Sequence, residues 1–228
     1  MTLPLAKRAV ALKEFLDTHP HSKSRARATE LLISTHAGLG DQALKSGDSA
    51  GGTQQLLQAI DEADITVTDD LFTGVIAQIP MNLYVRGEHA AAFQAAQNIE
   101  AKYGQDAKRL LNLAGFYLNV ERGTDVIRVG EAAVKLAPDM AEAHRILALG
   151  YHISLRLDEA AAEYKRTVEE MVASAVQEVE NGSIAIKTDP FLKSFPERHT
   201  GYLDGQLYLI DYRVAGQGNQ ARSAFDFI

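Results

Sequence analysis

The chain has 228 residues, of which 46% are hydrophobic and 23% charged, and a formal net charge of -7. That charge leaves no global positive field to draw in nucleic acid or an anionic membrane. Cysteine is absent, which excludes disulfides, thiolate nucleophiles and cysteine-ligated zinc.

No apolar run approaches the roughly 20 residues that a membrane-crossing helix needs. Met1–Val10 carries Lys7 and Arg8 but not the long apolar stretch of a secretory signal. The expectation is a cytoplasmic protein with no membrane insertion.

Helix is favoured throughout, because alanine is abundant and only 6 prolines occur. The first predicted helix spans about residues 4–17, with Leu5, Ala9, Leu12 and Leu16 on one face, and it ends before Pro20. Residues 1–23 then form an N-terminal helix or cap. Further helices are predicted at about 24–46, 52–63, 70–86, 89–103, 107–120, 124–136, 141–154 and 158–180. Thr68, Asp69 and Asp70 are N-cap candidates for the fourth of these nine segments. Pro80 falls inside it and must either kink it or sit near its start. Pro138 ends one helix and Asp139 is expected to cap the next.

The last helix overruns its neighbours. Val168, Met171, Val172, Ala175, Val176 and Val179 carry its stripe to Asn181-Gly182, a pair suited to stopping a helix. Such a helix suits a C-terminal cap. Beyond it, Ser183–Thr188 reads as a short strand. Gln206–Val214 reads as a second, with Tyr208, Ile210, Tyr212 and Val214 alternating onto one face. Residues 183–228 are therefore expected to be an irregular tail or a small β-hairpin, whose exposed edge offers a route to self-association.

The helical region repeats itself at a constant step. Leu113, Ala114 and Tyr117 recur as Leu147, Ala148 and Tyr151; one period earlier, Ile79 and Leu83 stand at the positions of Leu113 and Tyr117. The same step relates Ala92, Val126 and Ala160, and also Ile99, Ala133 and Thr167. An earlier copy, with Leu39, Ala43, Gly47, Asp48, Gly52 and Ala59, matches Ile79, Leu83, Gly87, Glu88, Ala92 and Ile99 at a longer step. The surplus of six is assigned to Ile65–Asp70.

A period of roughly 34 residues, with this order of large, small and aromatic side chains, resembles the tetratricopeptide repeat family, and in particular its bacterial multi-repeat members. One copy reads Leu110, Leu113, Ala114, Tyr117, Val126, Gly130, Ala133, Pro138; the next reads His144, Leu147, Ala148, Tyr151, Ala160, Tyr164, Thr167. The resemblance implies an all-α solenoid, an α-α superhelix of antiparallel helix pairs over residues 24–182. It also implies a concave groove lined by the first helix of each pair. In that groove it places Met81, Tyr84, Lys108, Asn112, Asn119, Arg145 and His152, a set suited to gripping a peptide or protein segment.

Other chemistry is poorly supported. Gly216-Gln-Gly218-Asn-Gln-Ala221 echoes a dinucleotide loop, but the chain ends before the helix, strand and acidic residue such a site requires. His19 with His21, and His144 with His152, lack carboxylates at ligand spacing, and His144 stands where the family places a large packing residue. The acidic pairs Asp69-Asp70, Asp158-Glu159 and Glu169-Glu170 sit at helix starts or on exposed faces. The expectation is a non-enzymatic scaffold with no cofactor and no metal, binding a protein or peptide and no nucleic acid. The alternative is the recruitment region of a larger enzyme that continues past residue 228.

Overall fold

The turns between helices reveal the repeat most directly. In the computed structural model, which describes residues 3–180, 198–203 and 206–211, four residues adopt left-handed backbone conformations. They are Gly47 (φ 88), Gly87 (φ 87), Glu121 (φ 55) and Leu155 (φ 59). The last three are evenly spaced along the chain, and the first interval is longer by the same six-residue surplus. Each follows the first helix of a pair. The next residue's N–H then reaches back five positions: Asp48 to Ala43 O at 2.9 Å, Glu88 to Leu83 O at 3.1 Å, Arg122 to Tyr117 O and Arg156 to Tyr151 O, both at 2.9 Å. This closure satisfies carbonyls that a helix end leaves open. One turn geometry, repeated four times, reverses the chain and creates four helix pairs among the described residues.

The helices are α1 (Leu5–Thr18), α2 (Arg25–Lys45), α3 (Ser49–Glu62), α4 (Asp69–Gly74), α5 (Ile79–Tyr84), α6 (His89–Tyr103), α7 (Ala107–Asn119), α8 (Gly123–Leu136), α9 (Ala141–Ile153) and α10 (Leu157–Glu180). The pairs are α2 with α3, α4–α5 with α6, α7 with α8, and α9 with the start of α10. The first compact unit covers Met1–Tyr164 and the second Lys165–Ile228.

In the first unit, Ile79, Leu83, Leu113, Tyr117, Val126 and Ile99 are buried in one continuous core. Small residues set how closely each pair approaches. The positions equivalent to Ala114 and Val126 are Gly40 and Gly52 in the first pair, and there the backbones touch. A Cβ on Gly40 would lie 2.9 Å from the Gly52 carbonyl oxygen. At the other end, α1 packs Ala9, Leu12, Phe15 and Leu16 against Ala28, Leu32 and Leu39.

Two local expectations are corrected. The first helix of the second pair is not continuous over 70–86. It breaks after Gly74 at Val75 (φ -125, ψ -64), passes through a 3-10 turn at Ile76–Gln78, and resumes as α5 with Pro80 in its first turn. Proline is tolerated there because that N–H has no helical partner. Asp139 does not cap α9; the N-cap position is Met140, with no side-chain cap. By contrast, Thr68 does cap α4, accepting from the Leu71 N–H at 3.4 Å.

The end of α3 and the link after it, residues 63–68, are fastened by the two repeats that follow. Lys102 Nζ donates to the carbonyls of Ile60, Asp61 and Ala63 at 2.6, 3.0 and 2.6 Å. Tyr103 donates to Asp64 O at 2.9 Å. Arg109 donates to Ile65 O at 3.2 Å and Val67 O at 2.6 Å.

In the second unit, β1 (Arg198–Leu203) and β2 (Gln206–Asp211) pair antiparallel, from Arg198 opposite Asp211 to Leu203 opposite Gln206. The strand expected at Ser183–Thr188, the motif Gly216–Ala221, and the end of the strand expected to reach Val214 lie outside the described residues.

The left-handed turn at Leu155 carries a testable cost. A non-glycine residue in that conformation loses about 1 kcal/mol or more, and glycine escapes this while adding chain entropy to the unfolded state. Leu155 is 82% exposed, so it contributes little packing. Leu155→Gly is expected to raise stability by about 0.5 kcal/mol, read as a higher urea midpoint at unchanged slope.

Candidate interaction face

The first helices of the last three pairs carry the face expected to bind. On α7, Lys108, Asn112 and Asn119 are exposed and share one side of the helix. Both asparagines donate Nδ2 to their own helix, Asn112 to Lys108 O at 3.2 Å and Asn119 to Gly115 O at 2.8 Å. Their side-chain oxygens remain available as acceptors.

On α9, Arg145 and His152 are exposed, two turns apart. Glu142 holds Arg145 in a fork, at 2.7 Å to Nε and 2.6 Å to a terminal nitrogen. That hydrogen bond raises the guanidinium pKa above its ordinary value, outweighing desolvation. His152 Nδ1 lies 3.4 Å from the Tyr164 hydroxyl, with the two rings edge-on.

On α5, Met81 and Tyr84 are half-buried and pack against the core. Tyr84 stacks on His89 at 4.4 Å and meets Phe93 and Phe116 edge-on, each at 6.1 Å. Tyr84 therefore ties the second pair to α7 through Phe116.

Sequence reasoning passed over the apolar residues in register with these. One and two periods on from Met81 stand Gly115 and Leu149; from Tyr84, Leu118 and His152; from Ala77, Leu111 and Arg145. Met81, Tyr84, Leu111, Gly115, Leu118 and Leu149 are all half-buried. The period that locates the core thus also locates two columns of partly exposed residues, and a third that runs from the buried Ala77 through the half-buried Leu111 to the exposed Arg145. The signal is present in the sequence, but polarity and aromaticity alone pick out only part of each column.

Elsewhere, a depression of about 460 Å³ lies among α6, α7 and α8, lined by Gln97, Glu100, Leu110, Asp125 and Arg128 among others. Its charges are engaged with one another: Arg128 pairs with Glu100, and with Asp125 at 2.9 Å. Among the described residues, no group of three or more histidines or carboxylates is arranged to hold a metal ion, and no helix is long and apolar enough to cross a membrane.

No family model matches the chain, and no curated protein matches it in sequence. Among solved structures, a crystal structure of MamA is similar at 18% identity and a TM-score of 0.42, over 75% of this chain and 91% of that one. A second MamA crystal structure is similar at 16% identity and a TM-score of 0.42, over 81% and 100% of the two chains.

Proposed function

We propose that this protein is a non-enzymatic interaction module that holds a protein or peptide segment across the first helices of its repeats, α5, α7 and α9. The observation that carries the reading is the set of half-buried residues in register along these helices: Met81, Tyr84, Leu111, Gly115, Leu118 and Leu149. Met81, Leu111, Leu118 and Leu149 supply adaptable apolar contact. Lys108, Asn112, Asn119, Arg145 and His152 supply directional polar contact at the margins. An extended segment needs both, because apolar burial provides affinity and polar groups fix register.

The test is affinity capture from the source organism's lysate with wild type and with Asn112→Ala/Arg145→Glu. Both substituted side chains are exposed, so the helical spectrum of the variant is expected to match that of wild type. A protein retained by wild type and reduced tenfold or more with the variant, about 1.4 kcal/mol or more in binding, supports the groove. Equal retention by both places the interface elsewhere.

A further inference from the structure

The repeats differ most sharply at one pair of equivalent positions. In successive repeats, His36 is followed by Ile76, Leu110 and His144, and Gln55 by Ala95, Val129 and Glu163. The two middle pairs are apolar at both positions. The outer two instead carry polar couples: His36 Nδ1 lies 2.8 Å from Gln55 Oε1, and His144 Nδ1 lies 2.6 Å from Glu163 Oε2.

These couples differ in what they require of the imidazole. The Gln55 amide offers both an acceptor and a donor, so a neutral His36 satisfies it in either tautomer. His144 faces acceptors on both sides, because its Nε2 lies 2.8 Å from the Pro138 carbonyl oxygen. A neutral imidazole has a single N–H and leaves one of these contacts as lone pair against lone pair. Only the imidazolium donates to both. The residue is 7% exposed, so water is poorly placed to substitute.

We propose that the docking of the start of α10 onto α9 is proton-dependent, held by a His144 imidazolium shared between Glu163 and the Pro138 carbonyl. Burial disfavours the charge, while the Glu163 carboxylate and two hydrogen bonds favour it. Among the described residues, Tyr151 and Arg145 also bear on the couple. Tyr151 on α9 is held neutral chiefly by burial, then by its bond to Glu131 of α8, and it also feels the Glu163 charge. Arg145, adjacent on α9, is engaged by Glu142.

The sign follows from linkage. The folded state holds this proton more tightly than the unfolded chain. The contribution is therefore complete below the free-imidazole value of about 6.5 and is lost as pH rises through the higher folded value. The fourth repeat would loosen in mildly alkaline conditions and tighten in mildly acidic ones, changing the end of the array next to the interaction face on α9.

The experiment follows the histidine ring protons of the full chain by NMR from roughly pH 5 to 9, with thermal midpoints at both ends of that range. Wild type is compared with Glu163→Gln and with His144→Leu/Glu163→Val, which installs the Leu110–Val129 couple that the third repeat already accommodates. In wild type, His144 is expected to titrate about one pH unit or more above the free-imidazole value of about 6.5. Glu163→Gln, which copies the His36–Gln55 couple, should erase most of that difference. The double variant should fold and lose the corresponding pH dependence of its thermal midpoint. A His144 that titrates at or below the free-imidazole value of about 6.5, or a Glu163→Gln protein whose pH dependence equals wild type, overturns the proposal.

Discussion

Arg109→Met is expected to lower the unfolding free energy by about 3 kcal/mol, and Arg109→Lys to recover less than half of that loss. Arg109 is 7% exposed, and its guanidinium packs against two rings that themselves meet edge-on, 5.1 Å from the Phe72 centroid and 4.8 Å from the Tyr103 centroid. From there its nitrogens reach the Ile65 and Val67 carbonyls and lie 3.4 Å from Asp106 and 3.5 Å from Asp69. Asp69 is exposed, so that ion pair contributes little. The cost of removal comes from the two carbonyls and the lost packing against the rings. A lysine ammonium is a point charge that neither lies flat against a ring nor spans both carbonyls with a planar fork. Tyr103 belongs to the same fastening; burial pushes its phenol up to about 12, so it remains a neutral donor to Asp64. Urea denaturation followed by circular dichroism provides the measurement. A lysine variant as stable as wild type would mean that charge alone does the work.

Gly52→Val is expected to cost about 3 kcal/mol, at the upper end for overpacking. A Cβ at that position would fall 2.5 Å from Leu44 Cγ and 2.9 Å from the Leu44 backbone nitrogen. The side chain has some freedom to move, but the backbone of α2 does not yield without separating the pair. Gly115→Ala is the internal control, because a Cβ there meets nothing within 4 Å. Relief of glycine's entropy cost should make that change neutral or stabilising by up to about 1 kcal/mol. If both substitutions have similar effects, the close approach of α2 and α3 is not what constrains Gly52.

Much of the array was legible because its signal is repetition. The constant step identified Leu113, Tyr117, Val126 and their equivalents as core, and the surplus of six was assigned to the stretch before α4. The structure spreads that surplus over the link at residues 63–68 and the broken helix that follows it, and the fastening of the link by Lys102, Tyr103 and Arg109 was invisible, since these contacts span 39 to 44 residues. The break at Val75 was also missed. Pro80 marked trouble, yet the helix stops five residues earlier, where the chain must absorb the irregular entry from Val67. Asp139 failed as a cap because the turn uses Met140 instead.

The candidate face was read in part. Lys108, Asn112, Asn119, Arg145 and His152 are exposed, and Met81 and Tyr84 are half-buried. Leu111, Leu118 and Leu149 went unnoticed because an apolar residue at a helical period reads first as core. The paired strands gave a mixed signal. β2 overlaps the expected 206–214, whereas its partner is Arg198–Leu203.

The most direct test of the central claim is hydrogen–deuterium exchange of the protein alone and in complex with its captured partner. The account predicts slowed exchange in α7 at Lys108–Asn119 and in α9 at Arg145–His152, with α6 and α8 unchanged. Protection confined to α6 and α8, around Glu100 and Arg128, would contradict it and move binding to the opposite helices of the repeats.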